Sequence, residues 1–462
     1  MTEIQSAPNQ DFGFPAIVSN QALRSSIERI IPYGIVGHVR SVRGTTIIAE
    51  NLPVPIGSIA IIQTITGQRC EAEIIGFDAA HTILAPLDTM EGVRTGDPVE
   101  LHRSFRTIRV SDALIGRVLD ATGQPIDDGP TISSGSRIPC DVPPLVALSR
   151  PPIRKVLPTQ IRAIDSMLTV GEGQRIGIFS GSGVGKSTLL GMLARGTSAD
   201  CVVIGLIGER GREVREFIER DLGEEGKAKS ITVVATSDQP APRRILAAKT
   251  ATTIAESLRD QGKSVLLLMD SVTRFAMAQR EIGLAAGEAP TTRGYPPSVF
   301  SMLPQLVERA GLTARGSITA FYTVLVEGDD TNEPISDALR GLLDGHFYLS
   351  RDLASYGQYP AIDILPSLSR LQTQLITAEQ RELAGLLRHW MATYRQHEDL
   401  IQVGAYKTGN NAVIDRAIDL KPKIERFLKQ SHDTTVPWDV TLCELKQLLA
   451  ADSDDPSATR IN

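Results

Sequence analysis

Three patterns of apolar positions follow one another along the chain. Residues 34–102 carry short β-branched runs, IVGHVRSV, TTIIAE, SIAIIQTI, EAEIIGF and TILAPL, cut by turn residues. Runs of this kind predict a small β-barrel. From 155 to 370 the apolar runs CVVIGLI (201–207), SITVVAT (230–236), SVLLLMD (264–270) and SITAFYTVLV (317–326) alternate with helical segments. That alternation predicts a parallel sheet covered by helices. One of those helices, in RRILAAKTATTIAESLRDQG (243–262), ends on Gly262, the residue type that follows the last turn of a helix. Beyond 371, ELAGLLRHWMATYRQHEDLI and the stretch around AIDLKPKIERFLKQ favour helix, so the chain ends in a helical C-terminal domain.

The expected division is a flexible start (1–21), an amphipathic helix and barrel (22–102), a connecting segment (103–154), an α/β core (155–370), the helical domain (371–450) and a disordered tail, ADSDDPSATRIN, over its last dozen residues (451–462). In ALRSSIERII (22–31) Leu23, Ile27, Ile30 and Ile31 share one helical face, and such a stripe needs a partner surface. The connecting segment runs from LIGRVLDATGQPIDDGP (114–130) into the proline-rich DVPPLVALSRPPIR (141–154), which reads as a hinge.

Composition narrows the classes. A chain of 462 residues holds two or three domains at about 150 residues each. Its 48 basic and 54 acidic residues leave a net charge of −6, so no global basic field calls for nucleic acid. Cys70, Cys140, Cys201 and Cys443 lie far apart, which argues against a zinc site or a disulfide framework and predicts small buried residues in a reducing cytosol. The opening MTEIQSAPNQDFG has no signal-peptide pattern, and no apolar run approaches the roughly 18 residues of a membrane span. A soluble protein with at most peripheral membrane contact is expected.

The chemistry concentrates at Ser180–Thr188, SGSGVGKST, which follows the apolar strand QRIGIF (174–179) and opens a helix near Lys186. In a G-x-x-x-x-G-K-[ST] loop, backbone N–H groups turn inward around the phosphates of a nucleoside triphosphate. Lys186 brings charge toward the β and γ positions, and the Ser187 hydroxyl is placed for Mg²⁺. Gly181, Ser182, Gly183, Val184, Gly185 and Thr188 complete the expected cradle for ATP. Ser180 stands where the motif has glycine, so a small non-glycine residue must make the first turn.

A nucleotide hydrolase also needs a metal-side carboxylate, a group that activates water, a seat for the base and a stabiliser of γ-phosphoryl charge. Asp270 ends the buried run VLLLMD and would emerge at the carboxyl edge of the sheet, to hold Mg²⁺ or to cap the next helix. Glu209, in GERGREV, follows another strand into the same crevice and can polarise the attacking water. Arg370 closes YPAIDILPSLSR (359–370), where a planar guanidinium can bridge phosphate oxygens. Tyr359 offers a ring to adenine or to simple packing.

These segments, in this order and spacing, closely resemble the α/β family of hexameric rotary-type ATPases, and P-A-I-D-x-x-x-S-x-S at 360–369 fits its short pattern. That family includes the catalytic subunit of ATP synthase, the vacuolar-type enzymes and the ATPases of type III secretion and flagellar export. The resemblance implies a RecA-like core between barrel and helical end, with Lys186 and Ser187 on phosphate and Mg²⁺, Glu209 orienting the hydrolytic water, Arg210 assisting at the γ-phosphate, Asp270 as the strand-end acid for the metal and Tyr359 against adenine. Arg370 matches the finger that reaches into a neighbour's site. GIFSGSGVGKSTLLGMLARG, IGERGREVREFIE and DSVTRFAMAQREIG are similar to the secretion branch, and LIQVGAYKTGNNAVIDRAI (400–418) resembles its flagellar form more than its injectisome form.

The implied function is a cytoplasmic ATPase at an inner-membrane export apparatus, working as a homohexamer because one chain carries both the water-activating acid and the finger. The family also implies a stator-like regulator at segment 22–31, a central stalk at the C-terminal domain, export chaperones and substrates, and peripheral contact with the export gate. Three rivals stay open: a catalytic subunit of a rotary ATP synthase, a ring-shaped RNA translocase, and a non-catalytic nucleotide-binding subunit. The low aromatic content of residues 34–102 gives single strands no stacking platform, and Glu209 has no use in a non-catalytic chain.

Overall fold

The computed structural model describes residues 34–79, 81–326 and 333–449. The amphipathic segment 22–31, the flexible start and the tail read from the sequence lie outside the described residues. Strands β1 (Val36–Arg43), β2 (Thr46–Glu50), β3 (Ile59–Gln63), β4 (Arg69–Asp78), β5 (His81–Pro86) and β6 (Pro98–Arg103) close an antiparallel barrel in the order β1-β2-β5-β4-β3-β6. Alternation decides which side chains fill it. In β4, Cys70, Ala72 and Ile74 are buried while the residues between them are more exposed.

After the barrel, β7 (Thr107–Val110) pairs with β9 (Ser136–Pro139) as a two-stranded ribbon. Between them β8 (Val118–Asp120) joins the central sheet, parallel to β12 (Ser230–Thr236). The connecting segment therefore also contributes an edge strand to the core. The other core strands are β10 (Arg175–Ser180), β11 (Cys201–Glu209), β13 (Ser264–Asp270), β14 (Gly311–Leu312), β15 (Ser317–Leu325), β16 (Gly345–Leu349) and β17 (Ile362–Ser369). Their order is β17-β16-β10-β15-β13-β11-β12-β8, with β14 beside β15. Pairing is parallel from β16 to β8, and β17 alone on that path runs antiparallel.

The central strands β11, β13 and β15 are buried along nearly their whole length, so their apolar runs meet side chains on both faces. Among the longer helices, α1 (Lys186–Gly196) packs on one face, and α2 (Ala241–Asp260) and α3 (Val272–Ala285) on the other. Helix α2 follows Pro240 and stops just before Gly262, whose φ of +93° only glycine adopts without strain. Helices α4 (Pro297–Val307) and α5 (Pro334–Leu342) extend the second layer.

The C-terminal region is built from α6 (Ala378–Gln402), α7 (Ala412–Leu428) and α8 (Trp438–Leu449). Thr377 caps α6 by accepting from Gln380 N–H, and Asn411 caps α7 by accepting from the N–H groups of Val413 and Ile414. Leu387, Leu420 and Ile424 belong to the same apolar cluster as Ile176 and Leu268 of the sheet, so these helices share one core with it. Three of the four cysteines are buried as expected, but Cys443 is exposed, because it lies on the outer side of α8 while Thr441 and Leu445 face in.

Candidate nucleotide site

Parallel pairing puts the carboxyl ends of β10, β13 and β11 on one edge, and each ends on a residue that matters there: Ser180, Asp270 and Glu209. Ser180 makes no turn. It is the last residue of β10, buried, with a hydroxyl that finds no partner among the described residues. The turning falls to Gly183 and Gly185, at φ +80° and +87°, and Lys186 opens α1 directly after. A Cβ on Gly185 would stand 3.0 Å from a ring carbon of Tyr359, so the tyrosine from the segment before β17 lies against the loop. The Gln430 N–H donates to the Tyr359 carbonyl at 2.8 Å, which ties the end of α7 to the same place.

Lys186 sits between two carboxylates. Its ammonium donates to Glu209 Oε1 at 3.3 Å and to Asp270 Oδ1, and all three side chains are largely buried. Thr323, on β15 between β10 and β13, donates its hydroxyl to Asp270 Oδ1 at 2.7 Å. Burial works against the Lys186 charge, yet the Asp270 and Glu209 carboxylates hold its pKa above the usual lysine value. Glu209 is pushed above the ordinary carboxylate range by burial and by the nearby Asp270 charge, with Lys186 opposing.

Beneath the loop, Thr188 Oγ1 donates to Asp221 Oδ1 at 3.3 Å. Asp221 belongs to a π-helical stretch, Phe217–Leu222, which continues the short helix Gly211–Glu216 that starts just after Glu209 and Arg210. Arg195 of α1 donates to the carbonyls of Asp221 and His432. Helix α1 is thus bonded through Thr188 and Arg195 to the segment after Glu209, and through Arg195 to the loop after α7.

Two predicted site residues stand apart. Arg210 is three-quarters exposed, 3.5 Å from Glu213 at the rim, rather than beside Lys186. Arg370 follows β17, which runs back toward the opposite edge: Ser369 pairs with Gly345, and Gly345 with Ile176, four residues before Ser180. That separates Arg370 from the loop by about 13 Å along the strands and about 10 Å across them. Its guanidinium donates to the Arg340 carbonyl at 3.0 Å. Thr323, Asp221 and Gln430 escaped the sequence reading. Only Thr323 carried a signal, as a polar residue deep inside an apolar run.

The donor set suits a hard cation only in part. No cluster of three or more His, Cys, Asp or Glu side chains able to hold a metal occurs among the described residues. The Ser187 hydroxyl and the Asp270 carboxylate supply oxygens at the loop, and Mg²⁺ characteristically takes few protein ligands and completes its shell with phosphate and water.

Residues 160–369 match the model of the ATP synthase alpha/beta family, nucleotide-binding domain, and residues 376–447 match the T3SS EscN ATPase C-terminal domain. The chain is 49% identical over 434 residues to a Flagellum-specific ATP synthase of Bacillus subtilis, covering 93% of this chain and 99% of the relative. It is 48% identical to a Type 3 secretion system ATPase of Xanthomonas euvesicatoria, over 91% of this chain and 94% of that one. The assembled ATPase EscN of the enteropathogenic E. coli type III secretion system superposes with a TM-score of 0.84 at 44% identity, covering 89% of this chain and 100% of that chain. EscN with its central stalk EscO gives a TM-score of 0.82 at 43% identity, with the same coverage. The chain belongs to the ATP synthase alpha/beta family of nucleotide-binding ATPases. Within that family it is an export ATPase of the flagellar and type III secretion branch.

Proposed function

We propose that the chain hydrolyses Mg²⁺-ATP in a ring of its own copies, in the cytoplasm beside the inner-membrane export apparatus, and drives flagellar export by releasing or unfolding substrates and their chaperones. The observation that carries this reading is the Lys186–Glu209–Asp270 cluster at the phosphate loop, in a chain whose Arg370 lies at the far edge of the same sheet.

Lys186 leaves the two carboxylates for the β- and γ-phosphates, and Thr323 keeps Asp270 in place once its cation has moved. Glu209 aligns the attacking water and draws on its proton. Ser187 and Asp270 would hold Mg²⁺, which neutralises phosphate charge when bound. The Tyr359 ring packs adenine, Arg210 swings in from the rim toward the γ-phosphate, and Arg370 of one copy completes the site of the next. The export reading adds a stator-like regulator on the N-terminal segment, a central stalk against the C-terminal helices, and contact with the export gate. The flagellar assignment rests on the VGAY stretch and the flagellum-specific relative; the 48% identity to a type III secretion system ATPase favours injectisome export as the second reading.

The deciding experiment is the ATPase rate per chain against chain concentration, with Arg370→Ala alongside. A cooperative rise in the wild type with a flat, low rate in the variant supports a self-sufficient ring. Negligible hydrolysis at every concentration would point to a missing sister subunit.

A further inference from the structure

A cavity of about 540 Å³ runs between the edge strand β17 and the C-terminal helices, and Lys186, Glu209, Asp270 and Tyr359 are not among the residues that line it. On α6, Trp390, Met391, Tyr394, Glu398 and Gln402 recur at successive turns along its wall. The wall is therefore about 18 Å long. Its floor is apolar, with Leu353, Ile362, Ile364, Ile424 and Leu428. The rim is acidic. Arg395 is paired with Asp363 at 3.0 Å and Lys421 with Glu425 at 3.0 Å, which leaves Asp352, Glu398 and Asp399 with no cation beside them among the described residues.

Two further observations bear on what fits there. Lys421 Nζ lies 4.6 Å from the centre of the Tyr394 ring, so this wall already seats a cation on an aromatic face. Tyr356 stands 82% exposed at the mouth, a large ring left in water beside an apolar floor. The indole N–H of Trp390 is also buried, with no acceptor among the described residues.

We propose that this cleft is the docking site of a basic amphipathic helix of about three turns, presented by a partner protein. Length favours a helix over a compact ligand, because the grooved wall extends for three turns of α6. Charge sets the sign: the apolar stripe of the incoming helix covers the floor, and its Lys or Arg residues face Asp352, Glu398 and Asp399. The proposal stands on the shape and charge of the cleft and does not depend on the hydrolytic roles given above.

The test uses the full chain carrying Trp438→Phe, so that Trp390 is the remaining tryptophan of the two. The probes are two synthetic helical peptides of about 14 residues, identical in their leucine stripe, one with lysines and one with glutamates on the polar face. The lysine peptide should shift Trp390 emission saturably, protect backbone amides of 351–358 and 390–402 from hydrogen exchange, and bind about tenfold more weakly to Asp352→Asn/Asp399→Asn. ATP hydrolysis by that double variant should match the parent. Equal binding of both peptides, protection elsewhere on the chain, or affinity indifferent to the two substitutions would overturn the proposal. So would loss of peptide binding on ring assembly, since the cleft would then be a seam between copies. Normal hydrolysis without peptide binding sinks this inference alone; peptide binding without hydrolysis sinks the catalytic reading alone.

Discussion

Two carboxylates occupy the Lys186 ammonium where a triphosphate would offer phosphate oxygens. Removing the ammonium leaves Glu209 and Asp270 facing each other and takes away the main positive charge at the loop. Lys186→Ala should therefore lower ATP turnover by at least about 10²-fold, measured as phosphate release at saturating ATP. Glu209→Gln keeps the size and one acceptor but cannot take a proton. It should bind ATP within a few-fold of the parent while its kcat falls by about 10² to 10⁴. The pH profile gives a second reading of the same residue. In the role proposed for Glu209 the ionised form is the working one, and its pKa is raised by burial and by Asp270, so activity should fall on acidification at a higher pH than an ordinary glutamate would give. An acid limb that survives unchanged in Glu209→Gln would assign that titration elsewhere.

Elements hold these residues through bonds that the sequence shows unevenly. The strands ending on Asp270 and Glu209 were legible because a buried parallel strand must be apolar throughout, so its first charged residue marks where it leaves the sheet. Gly262 after α2 was legible for a similar reason, since only glycine takes its backbone conformation freely. Asp221 was not: it looks like one more acid in the charged run EFIERDLGEEG, and only the π-helical stretch turns it under Thr188. The exposure of Cys443 depends on the rotation of α8 against its neighbours, which composition does not reveal. Asp165 was equally silent. It is fully buried and accepts from Thr159 N–H at 2.9 Å, Thr159 Oγ1 at 2.7 Å and Gln160 N–H at 2.9 Å. That turn holds Gln160 at φ +60°, and the Gln160 carbonyl receives Gln430 Nε2 and Val436 N–H from the C-terminal region. Asp165→Ala should lower stability by about 1 to 3 kcal/mol, seen as a lower urea midpoint with an unchanged slope.

At the scale of the whole molecule, the reversal of β17 is the feature with the widest effect. Mixing Arg370→Ala with Lys186→Ala should restore part of the lost ATPase activity, because some interfaces then join an intact loop to an intact arginine. No recovery at any ratio would remove the proposed trans role. The barrel, the mostly parallel core and the helical end follow from three kinds of apolar periodicity, and the order of strands from pairing alone. Under the trans role proposed for Arg370, a strand that doubles back at the sheet edge would also act as a safeguard on fuel. An isolated subunit has its phosphate loop at one edge and Arg370 at the other, so newly made chains spread through the cell volume would leave ATP almost untouched. Consumption would begin where copies are crowded together, and the place of assembly would thereby become the place of work.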